Sequence, residues 1–157
     1  MKIKRHNFKI TKEHLWWLSK RAEKEHHEFF LRKPHLQAYR KSLVGIVLCQ
    51  GAALHYIGKE NGIKDFDVWF FYKKDEKVNF SVRKPVTDKK GYKGVKIDFM
   101  KRAIPASICA KFSNQPDQCI LNYLLERNTS TKRFLLEKAG IGLYPKKIFA
   151  QTIWLKQ

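Results

Sequence analysis

Residues 44–72 read VGIVLCQGAALHYIGKENGIKDFDVWFFY, and the alternation of apolar and polar blocks in this stretch sets the architecture of the chain. Val44 to Cys49 is a continuous apolar run bounded by Gly51, the pattern of a buried strand. Ala52 to Ile57 favours a short helix that stops at Gly58, and Asn61-Gly62 marks a turn. Asp65 to Tyr72 is dense in aromatic and β-branched residues, as a central strand is. The order is therefore strand, glycine, short helix, turn, strand.

Outward from this centre the pattern changes. On the N-terminal side, Thr11 with Glu13 opens a helix from Lys12 to about Arg32. Leu15, Leu18, Ala22, His26 and Phe29 recur on it at spacings of three and four. Trp16 and Trp17 sit beside that apolar stripe and read as core, and Pro34 stops the helix. Leu36 to Leu43 suggests another short helix. On the C-terminal side come a charged turn (Lys73–Lys77), a strand at Val78–Val82, a basic loop KPVTDKKGYKGVK (Lys84–Lys96) and a firmer strand VKIDFM (Val95–Met100). Beyond Pro105 the pattern favours three helices. The first runs from Asn114 to near Asn128, the second from a cap at Ser130 or Thr131 through Ala139 to a stop at Gly140, and the third from Pro145 through KKIFAQTIW. Asn128-Thr129-Ser130 fits a glycosylation sequon but reads as a helix cap in this setting. The expected class is a single mixed α and β (α+β) domain over residues 1–157, a mixed sheet flanked by helices. Its core lies at 44–100, with helical segments at 11–43 and 106–157.

A chain of 157 residues is one domain's worth, and 43% hydrophobic residues exclude wholesale disorder. No apolar run approaches the ~20 residues of a membrane helix, and the opening MKIKRHNFKI lacks the apolar stretch of a secretory signal. The expected compartment is the cytoplasm, with no membrane partner. Cys49, Cys109 and Cys119 form no CxxC pair and sit among apolar residues, as small core side chains do. Lys and Arg number 33 against 14 Asp and Glu, a net charge of +19. Such a surplus draws in polyanions, whether nucleic acid or nucleotide polyphosphate, unless it is only a solvated lysine coat.

Asp65 and Asp67 stand two apart on an otherwise apolar strand, so both project from one face. Adjacent carboxylates in a half-buried place repel unless a cation sits between them, and hard oxygen ligands suit Mg²⁺ or Mn²⁺. The plainer alternative has them capping the strand in solvent, paired with Lys64 or Lys73. A third acid, Asp98, lies between Ile97 and Phe99 in another apolar strand. Gly51 would let the backbone approach a ligand, with the amides that follow it receiving phosphate oxygens. His55 follows on the same short helix, where it reads as a packed residue or a phosphate contact.

The sequence strand, Gly51-Ala52, helix, Asp65-Phe66-Asp67-Val68 and then Ile97-Asp98-Phe99 resembles the nucleotidyltransferase superfamily. It is most similar to small members of the abortive-infection and toxin type. The resemblance covers residues 44 to 100 and implies a mixed sheet of five strands or fewer. It also implies transfer of a nucleoside monophosphate from an NTP to an acceptor hydroxyl. By position it assigns Asp65, Asp67 and Asp98 to metal, Asp98 additionally to deprotonation of the acceptor, and Gly51 and Ala52 to the triphosphate. Ala52 departs from the usual Gly or Ser and offers no hydroxyl. The basic loop, with Lys84, Lys89, Lys90, Lys93 and Lys96, is expected near the phosphate end. There it would hold nucleotide or guide an acceptor such as tRNA. The expected partners are a nucleotide, an RNA or protein acceptor, and an accessory or antitoxin-type chain. The rival expectation is a catalytically degenerate member of this fold that binds RNA or another polyanion.

Overall fold

A computed structural model describes residues 5–59, 62–126 and 129–156. The Asn61 turn and the Asn128 sequon lie in part outside these residues. Helix α1 (Lys12–Arg32) begins at a capping box in which His14 N–H donates to Thr11 Oγ1 (3.2 Å) and Thr11 N–H donates to His14 Nδ1 (3.1 Å). A 3₁₀ turn (Pro34–Tyr39) leads into β1 (Leu43–Cys49), α2 (Gln50–Ile57) and β2 (Phe66–Lys73). Then follow β3 (Val86–Tyr92), β4 (Val95–Ile104), α3 (Ala106–Lys111), α4 (Pro116–Leu125), α5 (Ser130–Leu136), β5 (Ala139–Tyr144) and β6 (Thr152–Leu155). The strands form one sheet in the order β3-β4-β2-β1-β5-β6, with β2 and β4 parallel and every other neighbouring pair antiparallel. The mixed α and β class holds. No helix among the described residues is long and apolar enough to cross a membrane.

Strand alternation divides the sheet into two apolar faces. On one, Phe66, Val68, Phe70 and Tyr72 of β2 meet Leu15, Leu18, Ala22 and Phe29 of α1 in one buried cluster. On the other, Val47, Cys49, Trp69 and Phe71 meet Ile120 and Leu124 of α4 and Leu135 of α5. Each such aromatic or aliphatic side chain contributes about 1.5–3 kcal/mol on burial. The α1 stripe behaves as its spacing predicts, except that Trp16 is 55% exposed while Trp17 stacks on Tyr92 at 3.9 Å.

Several expectations are corrected. Residues 78–82 form no strand; the next strand is β3, built from the stretch expected to be a basic loop. The polar sequence VTDKKGY pairs at the sheet edge because Asp88 is pinned from two sides, accepting from Arg21 Nε (3.1 Å) and from Gly91 N–H (3.1 Å). Leu43 belongs to β1, and only Pro34–Tyr39 is helical before it, as a 3₁₀ turn. The second C-terminal helix ends at Leu136, and its cap is Thr129. The third is absent: Pro145 leads to one 3₁₀ turn (Lys146–Ile148) and then β6, giving six strands rather than five or fewer. Glycines make that last departure. A Cβ at Gly142 would lie 2.0 Å from the Ile148 carbonyl oxygen, and one at Gly140 would lie 2.5 Å from the Trp154 ring. Close approach of β6 to β5 thus overrides a helix-favouring local sequence.

α1 is also tied to the sheet by charge. Lys101 Nζ, 1% exposed, lies 2.8 Å from Glu25 Oε2, which also accepts from Arg32 at 2.8 Å. The ammonium packs over Phe29 (4.3 Å) and Phe70 (5.0 Å). Burial pushes the Lys101 pKa down while Glu25 pulls it back up. Replacing Glu25 by Ala should therefore cost about 3–5 kcal/mol, because it strands a buried cation, and lower the melting temperature by about 10 °C. The pair Glu25→Leu with Lys101→Met should recover most of that loss in thermal unfolding followed by circular dichroism. A double variant as unstable as the single one would show that the pair is not what fixes α1.

Candidate metal centre

β2 and β4 run parallel with Asp67 opposite Asp98. Asp67 shares its face with Trp69 and Phe71, and Asp98 shares the same face with Met100 and Arg102. Asp65 precedes Asp67 by two residues and comes to the same side. One carboxylate oxygen from each of Asp65, Asp67 and Asp98 can be chosen so that all three lie within 4.8 Å of one another, and each residue is half-buried.

Asp98 is held from both flanks. Thr87, its partner on β3, donates its hydroxyl to Oδ1 at 2.6 Å, and Lys96 Nζ lies 3.6 Å from Oδ2. Asp67 is the strained member. Burial, then the charge of Asp65 and a hydrogen bond shared with it, then the charge of Asp98, push its pKa up to about 8, against a smaller opposing pull from Lys96. It therefore favours its protonated form near neutral pH.

A cavity of about 200 Å³ opens beside the acids, lined by Asp65, Asp67, Gln50, Gly51, Ala52 and the cation Lys138, with Arg5, Lys64 and Phe134 completing its wall. Gly51 and Ala52 thus line the same cavity as the acid pair. No side-chain hydrogen bond caps the start of α2, which leaves the amides of its first turn without that partner. Ala52 itself is buried in the core at 2% exposure, leaving its N–H as the useful group. Gln50 is the residue that sequence reasoning passed over. It sits at the β1–α2 junction with φ 65°, in left-handed backbone, and is 5% exposed. Both its side-chain amide atoms lack a hydrogen-bond partner. A buried amide left unmade costs about 1–3 kcal/mol, and strain of this kind concentrates where a ligand binds.

The basic loop is placed differently from the cavity. Lys84 precedes β3, Lys89 and Lys90 lie exposed along β3, and Lys93 turns back over Phe8 (5.6 Å) and Tyr92 (5.9 Å). None of these four lines the acid cavity; of the group, only Lys96 reaches the acids. The cations at the cavity come instead from three distant parts of the chain: Arg5, Lys64 and Lys138. His55 has a structural role. Gly62 N–H donates to its Nδ1 (3.2 Å), and its Nε2 meets the Phe8 carbonyl (2.9 Å), tying the N-terminal segment to the α2–β2 connection.

The three carboxylates suit a hard divalent ion such as Mg²⁺ or Mn²⁺, because they offer only oxygen donors and the central acid carries a proton that metal would expel. No family model, curated protein or solved structure matches this chain, so a functional reading rests on the acids, the orphaned amide and the surrounding cations.

A raised carboxyl pKa in the folded state stabilises below it and is lost as pH rises toward it. In chelator, the melting temperature should fall as pH rises from about 4 to about 8. Asp67→Asn should flatten this slope and melt higher than wild type at pH 8, by ~2–4 °C for each kcal/mol of relieved repulsion. Added Mn²⁺ should raise the wild-type melting temperature and release protons on binding, with little effect on the variant. Parallel slopes for the two proteins would mean that the acids are solvated and do not interact.

Proposed function

We propose that this chain is a metal-dependent nucleotidyltransferase that moves a nucleoside monophosphate from an NTP to an acceptor hydroxyl. The supporting observation is the convergence, around one small cavity, of Asp65 and Asp67, the uncapped first turn of α2 and an unpartnered buried amide, with the Asp98 carboxylate within 4.8 Å of the acid pair. Triphosphate oxygens are the ligand class that these features share: they bridge hard cations and accept from backbone amides.

In this reading Asp65 and Asp67 would hold metal beside the triphosphate, and metal bound there would supply neutralisation of the phosphate charge and a lowered pKa for a bound hydroxyl. The amides of Gly51 and Ala52 receive phosphate oxygens, and the Gln50 side chain supplies the polar contact that Ala52 lacks. Lys138, Lys64 and Arg5 add positive charge where negative charge accumulates on the leaving pyrophosphate. Asp98, oriented by Thr87, accepts the proton of the acceptor hydroxyl as it attacks. The rival reading, a fold that holds polyanion without chemistry, draws on the +19 charge and on Ala52, which offers no hydroxyl where Gly or Ser is usual.

Calorimetric titration of each NTP with and without Mg²⁺ separates the two. Wild type should bind at least one NTP only when metal is present, and Asp65→Asn/Asp67→Asn should weaken that binding by a hundredfold or more. Gln50→Ala should weaken it about tenfold, the ~1.5 kcal/mol of a hydrogen bond to a charged group. Absence of NTP binding alongside salt-sensitive RNA binding would favour the rival.

A further inference from the structure

The acid cavity adjoins a groove that the transferase chemistry does not use. Phe134 of α5, 56% exposed, lines the acid cavity and also an open cavity of about 760 Å³ whose floor is Trp69, Met100 and Arg102. Trp69, Arg102 and Thr131 in turn line a third cavity of about 270 Å³, which Arg83, Lys74 and Tyr123 help to close. Phe134 is common to the first two spaces, and Trp69, Arg102 and Thr131 to the last two, so the three adjoin one another in a row. Asp98 and Arg102 stand on that face four residues apart, or ~13 Å along the strand.

The far end of the path is cationic. Arg102 stacks over Trp69 at 5.2 Å, and its pKa is pushed down by burial and by the charge of Arg83. Arg83 donates only to the carbonyls of Phe80 and Val82. Among the described residues no carboxylate lies within ion-pair distance of Arg83, Arg102 or Arg133. Lys132, which also lines this end, is paired with Glu126, and Glu137 is the acid on the groove wall. Two mutually repelling arginines without a counter-ion call for an anion. An NTP at the acids does not meet that need, because its charge is one contiguous chain of phosphates, while its ribose and base are neutral.

We propose that the groove receives the end of a single-stranded nucleic acid as the acceptor. Its terminal hydroxyl would lie at the acids, a base on Phe134, and a backbone phosphate between Arg83 and Arg102. The inference rests on the transferase reading for the role of the terminal hydroxyl, but the strand-binding surface stands on the groove itself. Exposed aromatic and unpaired arginine together are the combination by which proteins hold single strands, and an acidic peptide would use the arginines without Phe134.

Fluorescence anisotropy of 5′-labelled hexanucleotides, RNA and DNA in separate arms, tests the surface without NTP or metal. Phe134→Ala should weaken binding roughly tenfold, within the range for loss of one base-stacking aromatic. Arg83→Gln with Arg102→Gln should lower the salt slope by about 0.7, the value for the one phosphate contact that they share on a single strand. Phe134 and Arg83 are exposed, so their single variants test the proposal even if Arg102→Gln perturbs packing on Trp69. Lys89→Gln/Lys90→Gln/Lys93→Gln should leave the Phe134 effect intact, and Arg83→Gln, which lies outside the acid cavity, should keep wild-type Mg²⁺-dependent NTP binding. Should the three lysines account for the whole salt slope while Phe134→Ala and Arg83→Gln bind as wild type, the groove is not the strand path. That result would leave the transferase reading standing. Loss of NTP binding in the aspartate variants, with strand binding unchanged, would leave the groove standing. Binding of one arm alone identifies whether the strand is RNA or DNA.

Discussion

The parallel pairing of β2 with β4 is the constraint on which the remaining structure depends. Its register sets Asp67 against Asp98, and a slip of one residue would turn every side chain of one strand to the opposite face. Asp98 would then point toward α1, and Lys101 would leave its carboxylate. Parallel neighbours cannot be joined by a tight turn, so the chain from Lys73 travels to the sheet edge, forms β3, and returns through the hairpin as β4. That detour delivers Thr87 beside Asp98, which makes the edge strand part of the site's support.

Holding three acids together has a cost that the fold carries in several places. Asp67 keeps a proton where an isolated aspartate would not, and Gln50 stands in left-handed backbone with an unsatisfied amide. Local features of this kind persist only where surrounding structure over-determines them. Here the surroundings are rigid: β1 is fully buried from Gly45 to Cys49, flanked by β2 and β5, and leads directly into α2. The rigid strand sets the direction of the amides at the helix start, and this direction allows a short helix to present them to the acids.

Much of this was legible in the chain. The α1 stripe, the apolar β1 run, the aromatic β2 and the three acids carry short-range patterns, and those patterns correspond to physical faces. The remainder was hidden for identifiable reasons. β3 is too polar to read as a strand and exists because β4 offers it an edge and Asp88 fixes its turn. β5 carries Gly140, which reads locally as a helix stop, and Gly142, and these are where the Trp154 ring and the Ile148 carbonyl come close. Gln50 gave no signal, since a glutamine after an apolar run is unremarkable until its φ is known. The cations at the cavity come from positions 5, 64 and 138, so charge clustering along the sequence pointed to the lysines of β3 instead.

Lys101 and Arg102 show how strand alternation converts a uniform surplus of charge into two different functions. They are neighbours in sequence with the same sign, and β4 sends them to opposite faces. Lys101 enters the α1 face, where Glu25 neutralises it and two phenylalanine rings enclose it. Arg102 enters the other face, where a tryptophan ring supports its guanidinium and Arg83 is its charged neighbour. Burying either charge without compensation is unfavourable. On the first face the chain provides the compensation, and α1 is fixed as a result. On the second no carboxylate among the described residues comes within ion-pair distance, and the guanidinium instead rests on the Trp69 ring and donates to the Lys101 carbonyl beside the open groove.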